Sequence, residues 1–289
     1  MKFLVIGGSG MLGTDLVAEL TKRGHSVESP SAKDLNITDP CSVAQIAVEP
    51  GKYDWAINCA AYTAVDKAET EVQAATELNA LGPAYLGNAC NVAGIKVLHV
   101  STDFVFDGTA STPYSESAET HPLGVYGSTK REGELGLLAA NPNVLIVRTS
   151  WLYGIHGNSF PRTMIRAWEA GKELKVVADQ VGCPTSTVDL ARVLVDLCEK
   201  NGYPGIYHAS GPNATTWHAF AIEAIQAWKE FTRSDRAVQI APIPTEAYPT
   251  PAKRPKYSVM SMDNLASLGI APMRPMKESI QEFVGRLKL

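Results

Sequence analysis

The stretch KFLVIGGSGMLG, residues 2–13, decides the fold of this chain. Its first five residues predict a short apolar strand, which runs directly into a G-x-x-G-x-x-G turn that opens an amphipathic helix from about Met11. In this arrangement Gly7 permits a tight turn, Gly10 lets the backbone approach a pyrophosphate, and Gly13 lets the helix pack on the strand. The unpaired N–H groups and the positive dipole end of the helix then face the anion. We therefore predict a dinucleotide site here, rather than a turn needed only for packing. Its residues are Gly7, Gly10, Met11, Leu12 and Gly13.

The same alternation of strand and helix continues through the first half of the chain. The β-branched runs are too uniformly apolar to have one face in water, which is typical of a parallel sheet covered by helices on both sides. We predict an α/β fold with a Rossmann-type, doubly wound parallel sheet. The predicted strands are Lys2–Ile6, His25–Ser29, Tyr53–Asn58, Lys96–Val100 and Val144–Arg148, and the predicted helices begin near Met11 and Pro40 and span Glu71–Ala93 and Tyr126–Ala140.

The regular pattern weakens from Trp151 onward, where proline, glycine and short elements interleave. Clear helical patterns remain only near Thr187–Glu199, Thr216–Phe231 and Met276–Leu287. This part of the chain predicts a smaller α+β lobe that binds the substrate. We predict that residues 1–152, together with about 187–201, form the dinucleotide-binding domain. Residues of about 153–186 and 202–289 then form the substrate-binding lobe.

Composition excludes several classes of protein. The chain has 289 residues, of which 45% are hydrophobic, so it can bury a large core without disulfides or metals. Its net charge is −4, from 26 Lys and Arg against 30 Asp and Glu, and no basic run indicates a nucleic-acid partner. No stretch approaches about 18 consecutive apolar residues, so we expect no membrane partner and a cytoplasmic location. The five cysteines contain no C-x-x-C pair, which favours reduced thiols.

The end of the second predicted strand bears on the choice of cofactor. NAD-specific sites usually carry an acidic residue there for the ribose 2′-hydroxyl, whereas this chain has Ser29-Pro30-Ser31-Ala32-Lys33. Ser31 and Lys33 could accommodate a 2′-phosphate instead. The sequence therefore favours NADPH, with NADH possible. Glu28 remains the alternative acidic partner if the strand is displaced by a few residues.

Candidate catalytic residues follow the later strands. Tyr126 and Lys130 form a Y-x-x-x-K pair at the start of a predicted helix, and Thr102 lies just after the strand that ends at Val100. Reduction of a carbonyl by a nicotinamide delivers a hydride to carbon, and the oxygen must then receive a proton. We predict that Tyr126 donates this proton and that the Lys130 cation lowers the phenol pKa toward neutrality. Thr102 would donate a hydrogen bond to the carbonyl oxygen.

These residues lie within longer motifs that together indicate a family. The chain resembles the extended short-chain dehydrogenase/reductase superfamily and, within it, the dTDP-4-dehydrorhamnose reductases, over nearly its whole length. The resemblance implies NADPH-dependent reduction of the C4 keto group of dTDP-4-dehydro-L-rhamnose to dTDP-L-rhamnose, for surface polysaccharide. The motifs are NCAAYTAVDKAE (58–69), STDFVFDG (101–108), VYGSTK (125–130), RTSWLY (148–153), DQVGCPT (179–185) and AYPTPAKRP (247–255).

The resemblance also implies roles for individual residues. Thr102, Tyr126 and Lys130 would be catalytic. Asn79 would hold a water and the backbone geometry of the site. The implied cofactor-binding residues beyond the glycine turn are Asp34, Leu35, Cys59, Ala60, Ala61, Tyr62, Tyr126 and Lys130. The implied substrate-binding residues are Val65, Asp103, Phe104, Trp151 and Arg254.

Some relatives dimerise around Mg²⁺ held by glutamates. The corresponding positions here are Asp15, Val188 beside Asp189, and Glu282. Only one of them is a glutamate, so we predict no metal site. The six histidines show no paired spacing that would indicate another one. Either a monomer or a homodimer fits the sequence.

Other interpretations remain open at this stage. A non-catalytic NADP-binding subunit, such as the regulatory subunit of methionine adenosyltransferase, resembles the same family, and so does a nucleotide-sugar epimerase or dehydratase. Single residues also have structural alternatives. Trp151 could be core, Val65 and Phe104 could be packing residues, and Arg254 could form a surface ion pair. Asp66, Lys67 and Glu69 fit the solvated face of a helix start.

Overall fold

The computed structural model describes residues 1–288. The strands are β1 (Lys2–Ile6), β2 (Ser26–Glu28), β3 (Trp55–Asn58), β4 (Lys96–Thr102), β5 (Val144–Thr149), β6 (Leu152–Tyr153), β7 (Leu174–Val177), β8 (Val181–Gly182), β9 (Thr185–Ser186), β10 (Gly205–His208), β11 (Thr215–Thr216) and β12 (Ile240–Ile243). The α-helices are α1 (Met11–Lys22), α2 (Pro40–Ala44), α3 (Val65–Ala68), α4 (Val72–Thr76), α5 (Gly82–Ala93), α6 (Val125–Ala140), α7 (Phe160–Glu169), α8 (Thr187–Glu199), α9 (Trp217–Thr232), α10 (Asp263–Ser267) and α11 (Met276–Arg286).

A six-stranded sheet organises the first lobe. Its order is β10-β5-β4-β3-β1-β2, and every neighbouring pair is parallel. The predicted α/β class and parallel sheet are confirmed. The strand order reverses between β1 and β3, and in sheets of this kind ligands bind in the crevice at that point, outside the carboxyl ends of the strands.

Apolar side chains fill both faces of this sheet, as the uniformly apolar strands predict. One core lies between the sheet and helices α1 and α8 and includes Phe3, Leu16 and Leu194, all fully buried. The other lies under α2, α5 and α6 and includes Leu86 and Leu137. Because the central strands are covered on both faces, the carboxyl edge of the sheet is where polar side chains can reach a ligand.

The second lobe packs its own core around α7, α9 and α11, including Phe220 and Phe283. One boundary of the predicted division differs from the structure. The predicted substrate lobe includes residues 202–289, whereas Gly205–His208 pairs in parallel with β5 in the main sheet. Ile270 likewise belongs to the core of the first lobe. The cause is that β10 is only four residues long, so its pattern is too short to be distinguished from a lobe strand.

Two elements near the candidate site also differ from their predicted extent. Strand β4 continues to Thr102 instead of ending at Val100. The predicted helix over Glu71–Ala93 is interrupted by a π-helical segment, Glu77–Leu81, of the kind found frequently at functional sites. No helix among residues 1–288 combines the length and apolar character needed to cross a bilayer.

Candidate active site

The glycine turn between β1 and α1 has the geometry of an anion cradle. Gly7 adopts φ 77°, in the left-handed region, and a Cβ there would lie 2.7 Å from the backbone nitrogen of Ala60. A Cβ at Gly13 would clash with the carbonyl oxygen of Gly7. The N-cap residue Gly10 is exposed and gives α1 no side-chain cap, so the first-turn N–H groups can serve a ligand. Met11 and Leu12 begin the helix, with Leu12 buried in the core.

The segment after β3 forms the opposite wall of the cleft. Cys59, Ala60, Ala61 and Tyr62 are all partly exposed there. Asn79, in the π-helical segment, clamps its backbone: the side-chain oxygen accepts from Tyr62 N at 2.8 Å, and the side-chain nitrogen donates to Tyr62 O at 3.1 Å. The structure thus gives Asn79 the backbone-holding position that the resemblance implied.

The turn after β2 carries the residues considered for the adenosine end of a cofactor. Ser31 and Lys33 are exposed, as is Asp34, whose carboxylate accepts a hydrogen bond from the Ser31 hydroxyl at 2.7 Å. Leu35 is partly buried and packs against the core on the α5 side. Glu28 forms an ion pair with Lys52 at 3.6 Å. The turn therefore leaves the Lys33 side chain exposed, whereas the Ser31 hydroxyl is hydrogen-bonded to Asp34.

Strand β4 delivers Thr102 and Asp103 to the carboxyl edge of the sheet, and both are buried. The Thr102 hydroxyl donates to Asp103 at 3.1 Å and accepts from Phe104 N at 3.2 Å. Burial raises the pKa of Asp103 to about 6, although hydrogen bonds from Ser258 and Thr102 oppose the rise. The Phe104 ring meets the Tyr126 ring edge-on, with centroids 5.4 Å apart. The Thr102 hydroxyl and the Tyr126 phenol, both predicted to be catalytic, are thus close neighbours.

Tyr126 lies in the first turn of α6, and Lys130 is buried one turn later. Burial raises the pKa of Tyr126 to about 12, opposed by a hydrogen bond with Thr102. The prediction that Lys130 brings this pKa toward neutrality is wrong for this arrangement, because the lysine amine is turned to other partners. It lies 3.2 Å from His99 Nε2 and donates to Val100 O at 2.7 Å.

Two acidic residues that fitted a solvated helix face have partners instead. The Glu69 carboxylate accepts a hydrogen bond from Val125 N at 2.9 Å and so caps the helix that carries Tyr126. The Asp66 carboxylate pairs with Arg254 at 2.8 Å, and it also accepts from Ala252 N. Neither contact follows from the local sequence pattern, because each partner is more than 50 residues away.

An open cavity of about 370 Å³ lies in the second lobe beside this site. Trp151 stacks on Trp217 at a centroid distance of 3.6 Å, and Trp217 Nε1 donates to Gln180. An adjoining cavity of about 540 Å³ shares Gln180, Tyr248, Thr250 and Arg254 with the first. The first cavity is lined by Phe160, Thr163, Met164, Lys175, Val176, Val177, Gln180, Trp217, Tyr248, Thr250 and Arg254.

The substrate residues suggested by the sequence lie in different surroundings, and of the five only Arg254 lines the two cavities. Trp151 has φ 44°, an uncommon value for a large residue. It stacks on Trp217 and is partly buried against the core of the second lobe. Arg254 lines the cavity and forms an ion pair as well. Val65 begins α3, which packs against α6. Sequence reasoning missed Trp217, Gln180 and His99, although a tryptophan at a helix start was a visible signal.

Arginine side chains surround the carboxylates that the sequence offered as metal ligands. Arg274 contacts Asp189 at 2.8 Å and Glu282 at 2.6 Å, and Arg286 lies 3.6 Å from Asp15. Within the described part of the chain, no cluster of three or more His, Cys, Asp or Glu side chains could hold a metal ion. Guanidinium groups here take the place that a cation would need.

The fold and the site together define a class. A glycine turn at the switch point of a parallel sheet, a threonine at the end of β4 and a Tyr-Lys pair on α6 are the arrangement of short-chain dehydrogenases/reductases. The chain belongs to the family described as the RmlD substrate binding domain, whose model matches residues 1–289.

Similar proteins agree with this family. The chain is 39% identical over 285 residues to a probable dTDP-4,6-dihydroxy-2-methyloxan-3-one 4-ketoreductase from Streptomyces antibioticus, covering 98% of this chain and 94% of that protein. A dTDP-4-dehydrorhamnose reductase from Clostridium acetobutylicum superposes with a TM-score of 0.92 at 42% identity, covering 99% of both chains. A dTDP-4-dehydrorhamnose reductase from Bacillus anthracis in complex with NADP gives 0.90 at 35% identity, covering 98% of both chains.

Proposed function

We propose that this protein reduces the C4 keto group of dTDP-4-dehydro-L-rhamnose to give dTDP-L-rhamnose, with NADPH as the reductant. The observation that carries the proposal is the meeting of Thr102, Tyr126 and the glycine turn at one edge of the sheet, beside an aromatic and cationic cavity. The family and the named activities of its relatives support the same substrate class.

The residues around the cleft fit a dinucleotide. Gly7 and Gly13 leave no room for a Cβ, and the uncapped start of α1 offers N–H groups to a pyrophosphate. Lys33 is exposed after β2 and would receive a 2′-phosphate, together with the Ser31 hydroxyl once that hydroxyl turns away from Asp34. When bound, NADPH supplies the hydride. The complex of the Bacillus anthracis relative with NADP supports this choice of cofactor.

The chain's own residues supply the proton and position the ketone. With a pKa of about 12, the Tyr126 hydroxyl remains protonated at neutral pH and can act as an acid. It is still a stronger acid than a sugar alcohol, so it can protonate an alkoxide at C4. The Thr102 hydroxyl, fixed beside it by Phe104 N, would turn its one proton from Asp103 and donate to the same oxygen.

The second lobe offers the contacts that a nucleoside diphosphate sugar needs. The flat faces of Trp217 and Phe160 suit a pyrimidine base. Lys175 and Arg254 line the same cavity and would neutralise the diphosphate. The neighbouring cavity, which extends to Asp107 and Lys256, leaves space for the remainder of the ligand.

The structure and the comparisons favour this activity over the alternatives. A non-catalytic subunit has no need to keep Thr102, Tyr126 and Lys130, and this chain has all three. The family matches and the relatives named as reductases argue against an epimerase or dehydratase. The identity of the sugar is the finer part of the proposal, because the Streptomyces antibioticus relative is named for another 4-keto sugar.

A substrate panel tests the proposal directly. The purified protein is mixed with NADPH or NADH and with dTDP-, UDP- and GDP-linked 4-keto-6-deoxysugars, and oxidation is followed by absorbance and product stereochemistry by NMR. We expect rapid NADPH oxidation with dTDP-4-dehydro-L-rhamnose and a dTDP-L-rhamnose product. Tight NADPH binding without oxidation would overturn the proposal in favour of a binding subunit, and co-purified NAD⁺ would favour an epimerase.

A further inference from the structure

Gln180 joins two separate segments at the wall shared by the two cavities of the second lobe. Its side chain is buried, at 4% exposure, and it lines both cavities. The side-chain oxygen accepts from Trp217 Nε1 at 3.2 Å, and the side-chain nitrogen donates to Thr245 Oγ1 at 3.1 Å. Thr245 in turn contacts the carboxylate of Asp179. The four residues form one hydrogen-bonded row, whose members come from three distant parts of the chain.

The direction of each proton along this row is fixed by what its members can donate. The Thr245 hydroxyl has one proton, which it donates to Asp179 at 2.7 Å, because a carboxylate only accepts. The hydroxyl oxygen is therefore left to accept from the Gln180 NH₂ group. The Gln180 oxygen then faces the Trp217 Nε1–H, which only donates. A flipped Gln180 amide would set its NH₂ group against the indole N–H and leave that donor unpaired inside the protein.

The charged end of the row is the carboxylate of Asp179. Partial burial raises the pKa of this carboxyl, but the hydrogen bonds from Thr245 outweigh it and hold the pKa below its usual value. Thr245 N also donates to both carboxylate oxygens, at 3.0 and 3.1 Å. Asp179 is therefore ionised at neutral pH, and the row keeps its direction there.

Strand register brings the other end of the row together. Val181 of β8 pairs with Thr216 of antiparallel β11, so the residues next to them, Gln180 and Trp217, lie opposite each other. Trp151 covers one face of the Trp217 ring by stacking at 3.6 Å. The ring is therefore held by a stack on its face and by a hydrogen bond at its edge, and it lines the first cavity.

Thr245 begins the segment 245–256, which passes between the two cavities. Asp66 holds a later part of this segment through its ion pair with Arg254 at 2.8 Å. Between these attachments Tyr248 is 60% exposed, and it lines both cavities together with Arg254. The row therefore attaches the start of a cavity-lining segment to the aromatic ring across from it.

We infer that Gln180 is a positioning residue that holds the Trp217 ring and the segment 245–256 in one fixed relation, so that both face a single ligand before it binds. The ligand class is a nucleoside diphosphate, whose base would meet the ring and whose phosphates would meet Arg254. The inference rests on the proposed function and deepens it, because it assigns part of the nucleotide affinity to a preorganised wall. Gln180 acts through Trp217 and Thr245, away from the reacting atoms.

The first test measures the binding of dTDP by titration calorimetry, which requires no turnover. Gln180→Met keeps the length of the side chain but removes both hydrogen bonds, and we expect the Kd for dTDP to rise about tenfold. Thr245→Val should raise the Kd about fivefold, and Thr245→Ser, which keeps the hydroxyl, should restore it. Because Thr245 is partly exposed, its variants test the row even if Gln180→Met does not fold. An unchanged Kd in Thr245→Val would overturn the inference.

A double-mutant cycle tests whether the two ends of the row act as one unit. Trp217→Phe keeps an aromatic ring but has no N–H for Gln180 to hold. We therefore expect Thr245→Val to weaken dTDP binding about fivefold in the wild-type background and less than about twofold in the Trp217→Phe background. Losses that multiply fully would show that the ring and the segment contribute independently, and the inference would fail.

A spectrum without ligand reports the same coupling. ¹H–¹⁵N correlation spectra are recorded on protein labelled at tryptophan, and Trp217→Phe assigns the Trp217 indole signal. We expect Thr245→Val to shift that signal through Gln180 and to leave the Trp228 signal in place. A Trp217 signal that does not move in Thr245→Val would contradict the row.

Trp228→Phe is the matched control, because Trp228 lies on the same helix in the core of the second lobe and its Nε1 donates to Glu169. This variant should leave the Kd for dTDP unchanged. Thr245→Val should also raise the KM for the nucleotide sugar with kcat unchanged, as expected of lost uniform binding, whereas an equal fall in kcat would contradict a positioning role at the nucleotide.

The binding data separate the two proposals. If the dTDP cycle behaves as expected while no 4-keto sugar is reduced, the proposed function fails and the role of Gln180 stands. If dTDP-4-dehydro-L-rhamnose is reduced while the Thr245 and Gln180 variants bind dTDP like the wild type, the role of Gln180 fails and the proposed function stands.

Discussion

Arg254 donates to both carboxylate oxygens of Asp66, at 2.8 and 3.1 Å, and thereby links the cavity of the second lobe to the start of α3 beside the catalytic helix. The pair holds the guanidinium at the edge of the cavity that we assign to the nucleotide sugar. Its two partners are separated by 188 residues, so the contact also helps to fix the second lobe against the first.

Asp66→Asn should weaken substrate binding more than it weakens the fold. The hydrogen bond from Arg254 lowers the pKa of Asp66, so the pair's stabilisation is complete above the unfolded-state pKa and is lost as the pH falls through the lower folded-state pKa. Because the Asp66 side chain is 41% exposed, solvent limits this to about 1 kcal/mol or less. We expect a KM for the nucleotide sugar raised about fivefold at neutral pH. An unchanged KM would show that Arg254 does not need Asp66 in order to bind the substrate.

Glu69→Ala should lower both stability and turnover, because the carboxylate caps the helix that carries Tyr126 and Lys130. Loss of a helix cap costs about 0.5–2 kcal/mol, and a displaced first turn would move the Tyr126 hydroxyl. Glu69→Gln keeps an acceptor and should recover most of the loss. Urea unfolding and kcat measure the two effects, with Lys67→Ala as an exposed neighbour for comparison. Equal kcat values for the alanine and glutamine variants would contradict the capping role.

Tyr126→Phe should reduce kcat by about 10²- to 10⁴-fold, the usual contribution of a positioned acid. The Phe104 ring packs against the Tyr126 ring, so the substituted ring keeps its packing and NADPH affinity should change little. Stopped-flow measurement of hydride transfer checks the fall in kcat, and fluorescence titration with NADPH checks the unchanged affinity. Wild-type turnover in this variant would remove Tyr126 from the mechanism.

Much of the first lobe could be predicted because its signals are local. A glycine turn between a strand and a helix places Gly7, Gly10 and Gly13 at the sheet edge in any parallel α/β fold. Uniformly apolar strands require cover on both faces, which fixes the layer structure before any contact is known. The Y-x-x-x-K spacing and the position just after a predicted strand then indicated Tyr126 and Thr102, and the likeness to a known family implied the same roles.

The remaining features depend on contacts between residues that are far apart in the sequence. Glu69 and Asp66 have the composition of a solvated helix start, and only the folded chain shows their partners Val125 and Arg254. The spacing of Tyr126 and Lys130 indicates a shared helix face. It cannot show that the amine turns to a buried imidazole 31 residues away instead of to the phenol.

Gly13→Ala should abolish NADPH binding and destabilise the protein, because the added methyl group would meet the backbone of Gly7 and Gly8, which cannot move aside without opening the turn. Gly285→Ala on α11 is the matched control, since a Cβ there has no neighbour within 4 Å. Alanine in that helix should be neutral or stabilising by up to about 1 kcal/mol. Calorimetric titration with NADPH and thermal unfolding compare the two variants. Wild-type NADPH affinity in Gly13→Ala would show that the turn is more plastic than its contacts indicate.

Chelation of divalent metals should leave the melting temperature and the activity unchanged, because Arg274 already bridges Asp189 and Glu282. Arg274→Gln should instead destabilise the protein by about 1–3 kcal/mol, since the buried Asp189 carboxylate loses two donors. The exposed Lys22→Gln serves as the charge-matched control and should have little effect. A melting temperature that falls with EDTA and recovers with Mg²⁺ would contradict this account. It would mean that a cation can displace the guanidinium groups from these carboxylates.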